Sequence, residues 1–217
     1  MSGVVFLILL LLGLPLAFTL IASGMVYFAQ NPELPTTVAV QRMVAASQSF
    51  PLLAVPFFIL AGHVMNCSGI TKRLIHVSNL LVAWISGGLA HVTIVLSALM
   101  GGVSGSAIAD AAMQARILGE PMQASGLSKG FSAAIITVSA LITACIPPSI
   151  GLILYGYMGN VSIGKLFLAG LIPGLLLTLV LMLVVYLQAR KKGFMPTQAN
   201  PPSLKQILEA INQSKWA

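Results

Sequence analysis

Residues 87–116 read GGLAHVTIVLSALMGGVSGSAIADAAMQAR, and Asp110 is the only charged residue before Arg116. A straight helix of this length would reach about 45 Å, whereas the hydrocarbon core of a membrane is about 30 Å thick. The stretch is also too short for two full crossings. Its middle is rich in glycine and serine, which favours a turn over a continuous helix. We therefore predict a re-entrant helical hairpin over residues 87–116, with its tip near Gly102 to Ser106.

The composition of the whole chain indicates a membrane protein. Of the 217 residues, 58% are hydrophobic and only 7% are charged, whereas about a quarter of the residues in soluble domains are charged. Because hydrocarbon offers no water to backbone polar groups, spanning segments must be helices or closed barrels. Long apolar runs favour helices, since barrel strands are short and alternate in polarity. We predict an all-α polytopic membrane protein.

The predicted membrane domain covers residues 1–192 and has about four spanning helices besides the hairpin. A spanning helix needs about 20 predominantly apolar residues. Residues 31–42 are polar and are expected to form a connector, and residues 70–84 combine basic and apolar side chains. This mixture predicts an amphipathic helix at the membrane interface, although it also fits the start of a span. The spans are expected at about residues 3–28, 50–66, 126–158 and 165–187.

The span expected at residues 126–158 is too long for one straight crossing, and it contains Pro147 and Pro148 in succession. A proline pair removes two backbone donors and stops helix continuation. We therefore predict a proline-broken helix here.

The basic residues favour an assignment of membrane topology. The net charge is +7, with 11 Lys and Arg against four Asp and Glu, and the basic residues lie between apolar runs. This distribution is typical of topology determinants and gives no support to nucleic-acid binding. The cluster Arg190 to Lys192 is expected in the cytoplasm. Residues 193–217 then form a cytoplasmic linker and an amphipathic helix, with Ser203 as its N-cap.

The two predicted helix breaks are the candidate functional sites. Non-helical backbone at membrane depth persists only where it is buried in protein or lines a cavity. Free carbonyls and serine hydroxyls suit a bare cation, while half-helix N-termini favour an anion. The structural alternatives are close packing of small residues at residues 101–106 and a packed kink at the prolines. Asp110 is an intramembrane charge, which makes it a candidate for coupling or gating.

An intramembrane hydrolase is a further alternative, because Gly102 to Gly105 matches the GxSG of rhomboid-type serine proteases. In those enzymes the general base is a histidine on a later helix, and no histidine follows His91 here. Ser106 also occupies the position where a GxSxG nucleophile elbow needs its final glycine. We therefore predict that the protein is not an enzyme and has no catalytic residues.

Three sequence blocks together resemble the large membrane subunit of tripartite ATP-independent periplasmic (TRAP) transporters, the DctM-like family. They are FPLLAVPFFILAG at residues 50–62, SGSAIAD at 104–110 and IPPSIG at 146–151. Large subunits of this family are about twice as long as this chain and contain a second, inverted half. The resemblance therefore implies the N-terminal half of an inverted-repeat, elevator-type transporter.

The resemblance implies a permease subunit of a Na⁺-coupled symporter in the bacterial inner membrane. It would import small organic anions, such as C4-dicarboxylates, together with a small TRAP membrane subunit and a periplasmic solute-binding protein. Na⁺ is expected as the coupling ion, with no cofactor and no other metal. By analogy the cation site comprises Ser104, Gly105, Ser106, Pro147, Pro148 and Ser149. The solute site would include Ser106, Ala107 and Ser149.

The alternative from a different class is a non-transporting membrane scaffold or assembly subunit, or a truncated fragment. The chain stops at Trp216 and Ala217, where the resemblance leads us to expect another apolar segment. This alternative is favoured if the first half is all that the cell makes.

Overall fold

The computed structural model describes residues 2–198, 201–203 and 206, and these residues form helices and connecting loops without any strand. The predicted all-α class is confirmed for this part of the chain. Ten α-helices are described, and their bounds are α1 Ser2–Leu11, α2 Leu16–Gln30, α3 Thr36–Ser47, α4 Phe50–Cys67, α5 Ile70–Val82, α6 Gly88–Gly101, α7 Ala107–Ala124, α8 Lys129–Cys145, α9 Ile150–Met158 and α10 Ile163–Lys192.

Helix length and apolarity agree with a membrane protein. Among the described residues, α10 is the one helix that is long and apolar enough to cross a membrane alone. Helices α8 and α9 meet the same requirement together, as a pair bent by 50° at their break. Helices α1, α2 and α6 are apolar but shorter. The predicted number of about four spans stays a prediction.

The described residues fall into two compact units that divide after Leu53. In the first unit, the continuous helix predicted over residues 3–28 is wrong, because α1 ends at Leu11 and α2 begins at Leu16. Gly13 has a φ of +78°, and Pro15 lies two residues after it. The N–H groups of Gly13 and Leu14 donate to the carbonyls of Leu10 and Leu9, which is the pattern of a Schellman stop.

Helices α1 and α2 form a short hairpin. A shallow pocket is lined by Ser2, Gly3 and Phe6 from α1 and by residues of α2 from Leu20 to Tyr27. The start of α1 therefore lies beside the end of α2, and the two helices run antiparallel. The polar connector expected at residues 31–42 is also partly helical, because α3 begins at Thr36, directly after Pro35.

The second unit is built around a hairpin of α6 and α7, which lies where a re-entrant hairpin was predicted over residues 87–116. Its re-entrant course in a membrane stays a prediction. Ser97 on α6 bonds to Asp110 and Gln114 on α7, so the two arms lie side by side. The second arm is longer than predicted and continues past Arg116 to Ala124. Its buried face extends through Leu118 and Met122 at a spacing of four residues, so helix packing continues beyond the charge at which we ended the arm.

Helix α8 returns from α7 after a short loop and packs against both arms of the hairpin. Leu, Ile and Met side chains from α6, α7 and α8 fill the core between them. The predicted break near Pro147 is confirmed, because α8 ends at Cys145 and α9 starts at Ile150. The core therefore fixes the hairpin against the broken helix.

Two helices flank this core. Helix α5 agrees with the helix predicted at residues 70–84, and its Leu74 and Ile75 pack on the core beside α6. Its place at the membrane interface stays a prediction. Helix α10 packs against α6, α8 and α9, and it ends at Gly193, whose φ is +67°.

The end of α10 lies beside the start of α8. The ring of Phe194 is 5.7 Å from that of Phe131, and Nζ of Lys192 is 5.5 Å from the Phe131 ring centroid.

Ser203 and Gln206 exchange side-chain to backbone hydrogen bonds, as in a capping box. This supports Ser203 as an N-cap, while most of the predicted amphipathic helix lies outside the described residues.

Candidate functional site

The hairpin tip touches the break between α8 and α9. The backbone N–H of Ile150 donates to the carbonyl oxygen of Gly105 at 3.4 Å. Gly105 has a φ of +58°, and a Cβ at this position would collide with the carbonyl oxygen of Pro148. A side chain would also crowd the Cα of Ser149 at 3.2 Å. The structure therefore brings together the two segments that the sequence singled out, and glycine permits their contact.

Two helices begin at this contact, and each begins with a serine cap. The Ser106 hydroxyl accepts from the N–H of Ala109 at the start of α7, at 3.4 Å. The Ser149 hydroxyl accepts from the N–H of Leu152 at the start of α9, also at 3.4 Å. Both serines thus serve as N-caps. The positive dipole ends of α7 and α9 accordingly lie at adjoining segments of the chain.

A cavity of about 500 Å³ opens beside the hairpin tip, within the size range of sites for small molecules. Of the predicted site residues, Ser104, Ser106 and Asp110 line it. Gly105 and Ser149 lie instead in the contact between the two breaks, beside Pro147 and Pro148, while Ala107 is the first residue of α7. The full lining of the cavity is Phe58, Ile59, Gly62, His63, Met100, Ser104, Ser106, Ala109, Asp110, Met113 and Ile150.

Sequence reasoning missed the contribution of α4 to this cavity. Its lining residues occur at positions 58, 59, 62 and 63, which is the spacing of one helix face. A Cβ at Gly62 would lie 3.5 Å from the Cα of Ser104, so α4 approaches the hairpin tip closely here. The helical spacing was a usable signal, but the residues are mostly apolar and fit a lipid-facing span equally well.

Asp110 is the acidic group of the site, and its side chain is only 1% exposed. Three donors approach its Oδ2 atom: the Ser97 hydroxyl at 2.9 Å, the Gln114 amide at 2.9 Å and the Thr143 hydroxyl at 2.6 Å. Its Oδ1 atom has no hydrogen-bond partner among the described residues. The two carboxylate oxygens therefore have very different surroundings.

The three donors were not predicted from the sequence. Gln114 also donates to the Ser97 hydroxyl at 2.6 Å, and the Thr143 hydroxyl lies 2.9 Å from the Ser97 carbonyl oxygen. These side chains come from α6, α7 and α8 and are fully buried. A buried carboxylate is costly unless hydrogen bonds or a positive charge compensate it. The cluster compensates one oxygen and leaves the other buried without a hydrogen-bond partner among the described residues.

Known proteins with similar sequences identify the family of this chain. The family profile described as "Tripartite ATP-independent periplasmic transporter, DctM component" matches residues 4–217. The chain belongs to this family.

Several relatives of this DctM-family chain are named as permeases. It is 38% identical to the sialic acid TRAP transporter permease protein SiaT of Haemophilus influenzae, over 98% of this chain and 34% of the relative. It is 39% identical to the sialic acid TRAP transporter large permease protein SiaM of Vibrio cholerae, over 94% of this chain and 48% of the relative. It is 33% identical to the C4-dicarboxylate TRAP transporter large permease protein DctM of the same species, over 96% of this chain and 46% of the relative.

Two conclusions follow for the DctM-family chain. It spans about a third to a half of the length of these relatives. The relatives are transporter permeases and not enzymes, so the prediction that the protein is not an enzyme is confirmed. The GxSG match at Ser104 therefore belongs to a hairpin tip of a permease family.

Proposed function

We propose that this chain forms the first half of a permease that imports small organic anions together with Na⁺. The observation that carries the proposal is the contact between two helix breaks beside a cavity that holds a buried carboxylate. The fuller proposal includes a bacterial inner-membrane location, a small TRAP membrane subunit and a periplasmic solute-binding protein that delivers the anion. The family to which the chain belongs supports a transporter role.

The cation would bind where the two breaks meet. Residues 102–106 and 146–149 lie outside the helices, and loop carbonyls and serine hydroxyls are hard oxygen ligands. We assign the site to Ser104, Gly105, Ser106, Pro147, Pro148 and Ser149. Asp110 contributes the negative charge and has one oxygen without a protein partner. A bare Na⁺ would compensate that charge, so ion binding and the stability of the site are linked.

The anion would bind beside the same contact, at Ser106, Ala107 and Ser149. Within the part of the chain that the structure describes, neither Lys nor Arg lines the cavity. The attraction for an anion must then come from the N-termini of α7 and α9, from hydrogen-bond donors and from a bound cation. This dependence supplies a physical reason for coupling, because the cavity suits an anion much better after Na⁺ has neutralised Asp110.

The substrate class that we propose is a small carboxylate, with C4-dicarboxylates as the first candidates. The named relatives transport sialic acid or C4-dicarboxylates, and both classes carry carboxylate groups. Serine hydroxyls and helix N-termini recognise carboxylates without selecting strongly among them. The solute-binding protein would therefore supply much of the selectivity.

Uptake into proteoliposomes tests this proposal. The vesicles would contain the complete permease that carries this sequence and the small membrane subunit, with the binding protein and a radiolabelled C4-dicarboxylate outside. We expect an inward Na⁺ gradient to drive accumulation, and replacement of Na⁺ by choline to reduce it to background. Equal uptake in both salts would contradict Na⁺ coupling. Assembly with the small subunit but no uptake of any tested carboxylate would favour the scaffold alternative.

A further inference from the structure

The hydrogen bonds around Asp110 are distributed unevenly between its two oxygens. Ser97, Gln114 and Thr143 all approach Oδ2 at 2.6 to 2.9 Å. Oδ1 is buried and has no partner within the described part of the chain. Asp110 also lines the cavity. In this arrangement Oδ2 has its hydrogen bonds, and Oδ1 is the oxygen whose hydrogen-bonding capacity is unfilled.

The donor hydrogens in this cluster match the available acceptors. The Gln114 amide has two N–H groups, one for Ser97 and one for Asp110. The Ser97 hydroxyl accepts the first and donates its own hydrogen to Asp110. Thr143 has one hydroxyl hydrogen, and its Oγ1 atom lies closer to Oδ2 of Asp110, at 2.6 Å, than to the Ser97 carbonyl oxygen, at 2.9 Å. The cluster therefore operates as a connected network, in which loss of one donor affects the others.

We infer that Ser97, Gln114 and Thr143 are positioning residues, which hold Oδ2 of Asp110 so that Oδ1 remains available to the transported cation. This inference rests on the proposed Na⁺ coupling and specifies how the protein prepares the ion's charged ligand. We call the three hydrogen bonds to Oδ2 from Ser97, Gln114 and Thr143 the clamp. Without the clamp, the carboxylate can rotate, and Oδ2 loses its hydrogen-bond donors. Both changes weaken cation binding, because a preorganised ligand binds with less loss of conformational freedom.

The same network joins the two walls of the proposed cation site. Ser97 lies on the first arm of the hairpin, Asp110 and Gln114 lie on the second, and Thr143 lies in the last turn of α8. The break begins at Ile146, three residues after Thr143. The clamp therefore sets the position of the hairpin relative to the break, in addition to the orientation of the carboxylate.

A purely structural role for this network makes a different prediction. A buried polar cluster that only stabilises the fold would lower stability when a donor is lost, with the same effect in the presence and absence of Na⁺. A positioning role changes the affinity for Na⁺. The two roles are therefore separated by measurements that vary the Na⁺ concentration.

The test compares Thr143→Val with Thr143→Ser in the reconstituted transporter. Valine keeps the shape of threonine and removes the hydroxyl, whereas serine keeps the hydroxyl. We expect Thr143→Val to raise the Na⁺ concentration for half-maximal uptake about tenfold, as for the loss of one hydrogen bond to a charged group. Thr143→Ser should stay within about twofold of wild type. At saturating Na⁺ the KM for the anion should change much less in both variants.

Thr93→Val is the matched control. Thr93 is also buried, and its hydroxyl donates to the Leu89 carbonyl at 2.8 Å without contacting Asp110. We expect this variant to lower stability without altering the Na⁺ dependence. If Thr143→Val does not fold, Ser97→Ala replaces it and should raise the half-maximal Na⁺ concentration in the same way.

A second readout does not require transport. Na⁺ should raise the unfolding temperature of the purified wild-type protein in detergent relative to choline, and Thr143→Val should need about tenfold more Na⁺ for the same rise. An unchanged Na⁺ dependence in Thr143→Val and Ser97→Ala would overturn the inference, as would an equal change in Thr93→Val. A wild-type protein that does not respond to Na⁺ would instead overturn the proposed function.

Discussion

Two apolar stretches of the molecule are broken, and their surroundings differ sharply. The stretch at residues 2–30 breaks around Gly13 and Pro15, next to exposed side chains such as Leu11, which is 86% exposed. Helix α1 has no buried residue. The stretch at residues 129–158 breaks at Pro147 and Pro148, directly after the buried Ile142 and Thr143. A buried hydroxyl is present at both breaks, because Thr19 is buried and donates to the carbonyls of Leu14 and Pro15 at the first one. The second break differs in that it contacts the hairpin tip, beside the cavity lined by the buried Asp110.

The largest difference is expected from Asp110→Asn, which removes the buried acidic side chain near the second break, the only one among the described residues. Because loss of a charged ligand costs about 3 kcal/mol, Na⁺ affinity should fall about a hundredfold. Uptake at physiological Na⁺ should then be close to background. Size-exclusion chromatography would establish that the variant is folded, and wild-type uptake by a folded variant would remove Asp110 from the mechanism.

A matched pair of glycine variants compares the two breaks directly. Gly105→Ala places a Cβ against the carbonyl oxygen of Pro148, whereas a Cβ at Gly13 meets nothing within 4 Å. Both residues have positive φ values, so each change costs about 1 kcal/mol from backbone strain. Only Gly105→Ala should also separate the two breaks. We expect it to reduce uptake at least about tenfold and Gly13→Ala to stay within about twofold, since 1.4 kcal/mol is a factor of ten.

The uptake rate and the unfolding temperature of both glycine variants would be measured in parallel. Similar losses in stability with a selective loss of uptake in Gly105→Ala would sharpen the distinction between the two breaks. Equal uptake in the two variants would show that the close contact at Gly105 does not matter for transport.

The smallest effect is expected from the replacement of two serines that cap helix N-termini. Ser106 caps α7 beside the cavity, and Ser128 caps α8 through the N–H of Phe131 at 3.3 Å. Replacement of either serine by alanine should cost about 1 kcal/mol of stability. Only Ser106→Ala should also raise the KM for the anion, by about threefold to tenfold for one lost hydrogen bond. An equal KM in both variants would exclude the Ser106 hydroxyl from anion binding.

The hairpin and the proline break could be predicted from sequence because both depend on local chemistry and on length. A glycine and serine cluster cannot easily continue a helix, and the stretch around Asp110, which has no other charged residue before Arg116, has the wrong length for a simple span. The same reasoning could have identified the stop at Gly13 and Pro15. Membrane helices tolerate glycine and proline, so we assigned that stretch to one span.

These arguments from local chemistry and length could not predict the hydrogen-bond network around Asp110. Ser97 and Thr143 are single hydroxyl residues in apolar helices and have no characteristic spacing from Asp110. Their contact depends on how α6 and α8 pack, over a sequence separation of 46 residues for the bond between them. Gln114 lies four residues after Asp110, which is a helical neighbour position, but spacing alone does not show that this face is buried.

Direct Na⁺ binding tests the central claim, that the two adjoining breaks and Asp110 form a cation site. Equilibrium dialysis with radioactive sodium would compare the purified wild-type protein with Asp110→Asn, with Gly13→Ala as a control at the other break. We predict saturable binding in the wild type and in Gly13→Ala, and its loss in Asp110→Asn. Equal saturable binding by a folded Asp110→Asn protein, or none by the wild type, would contradict the account.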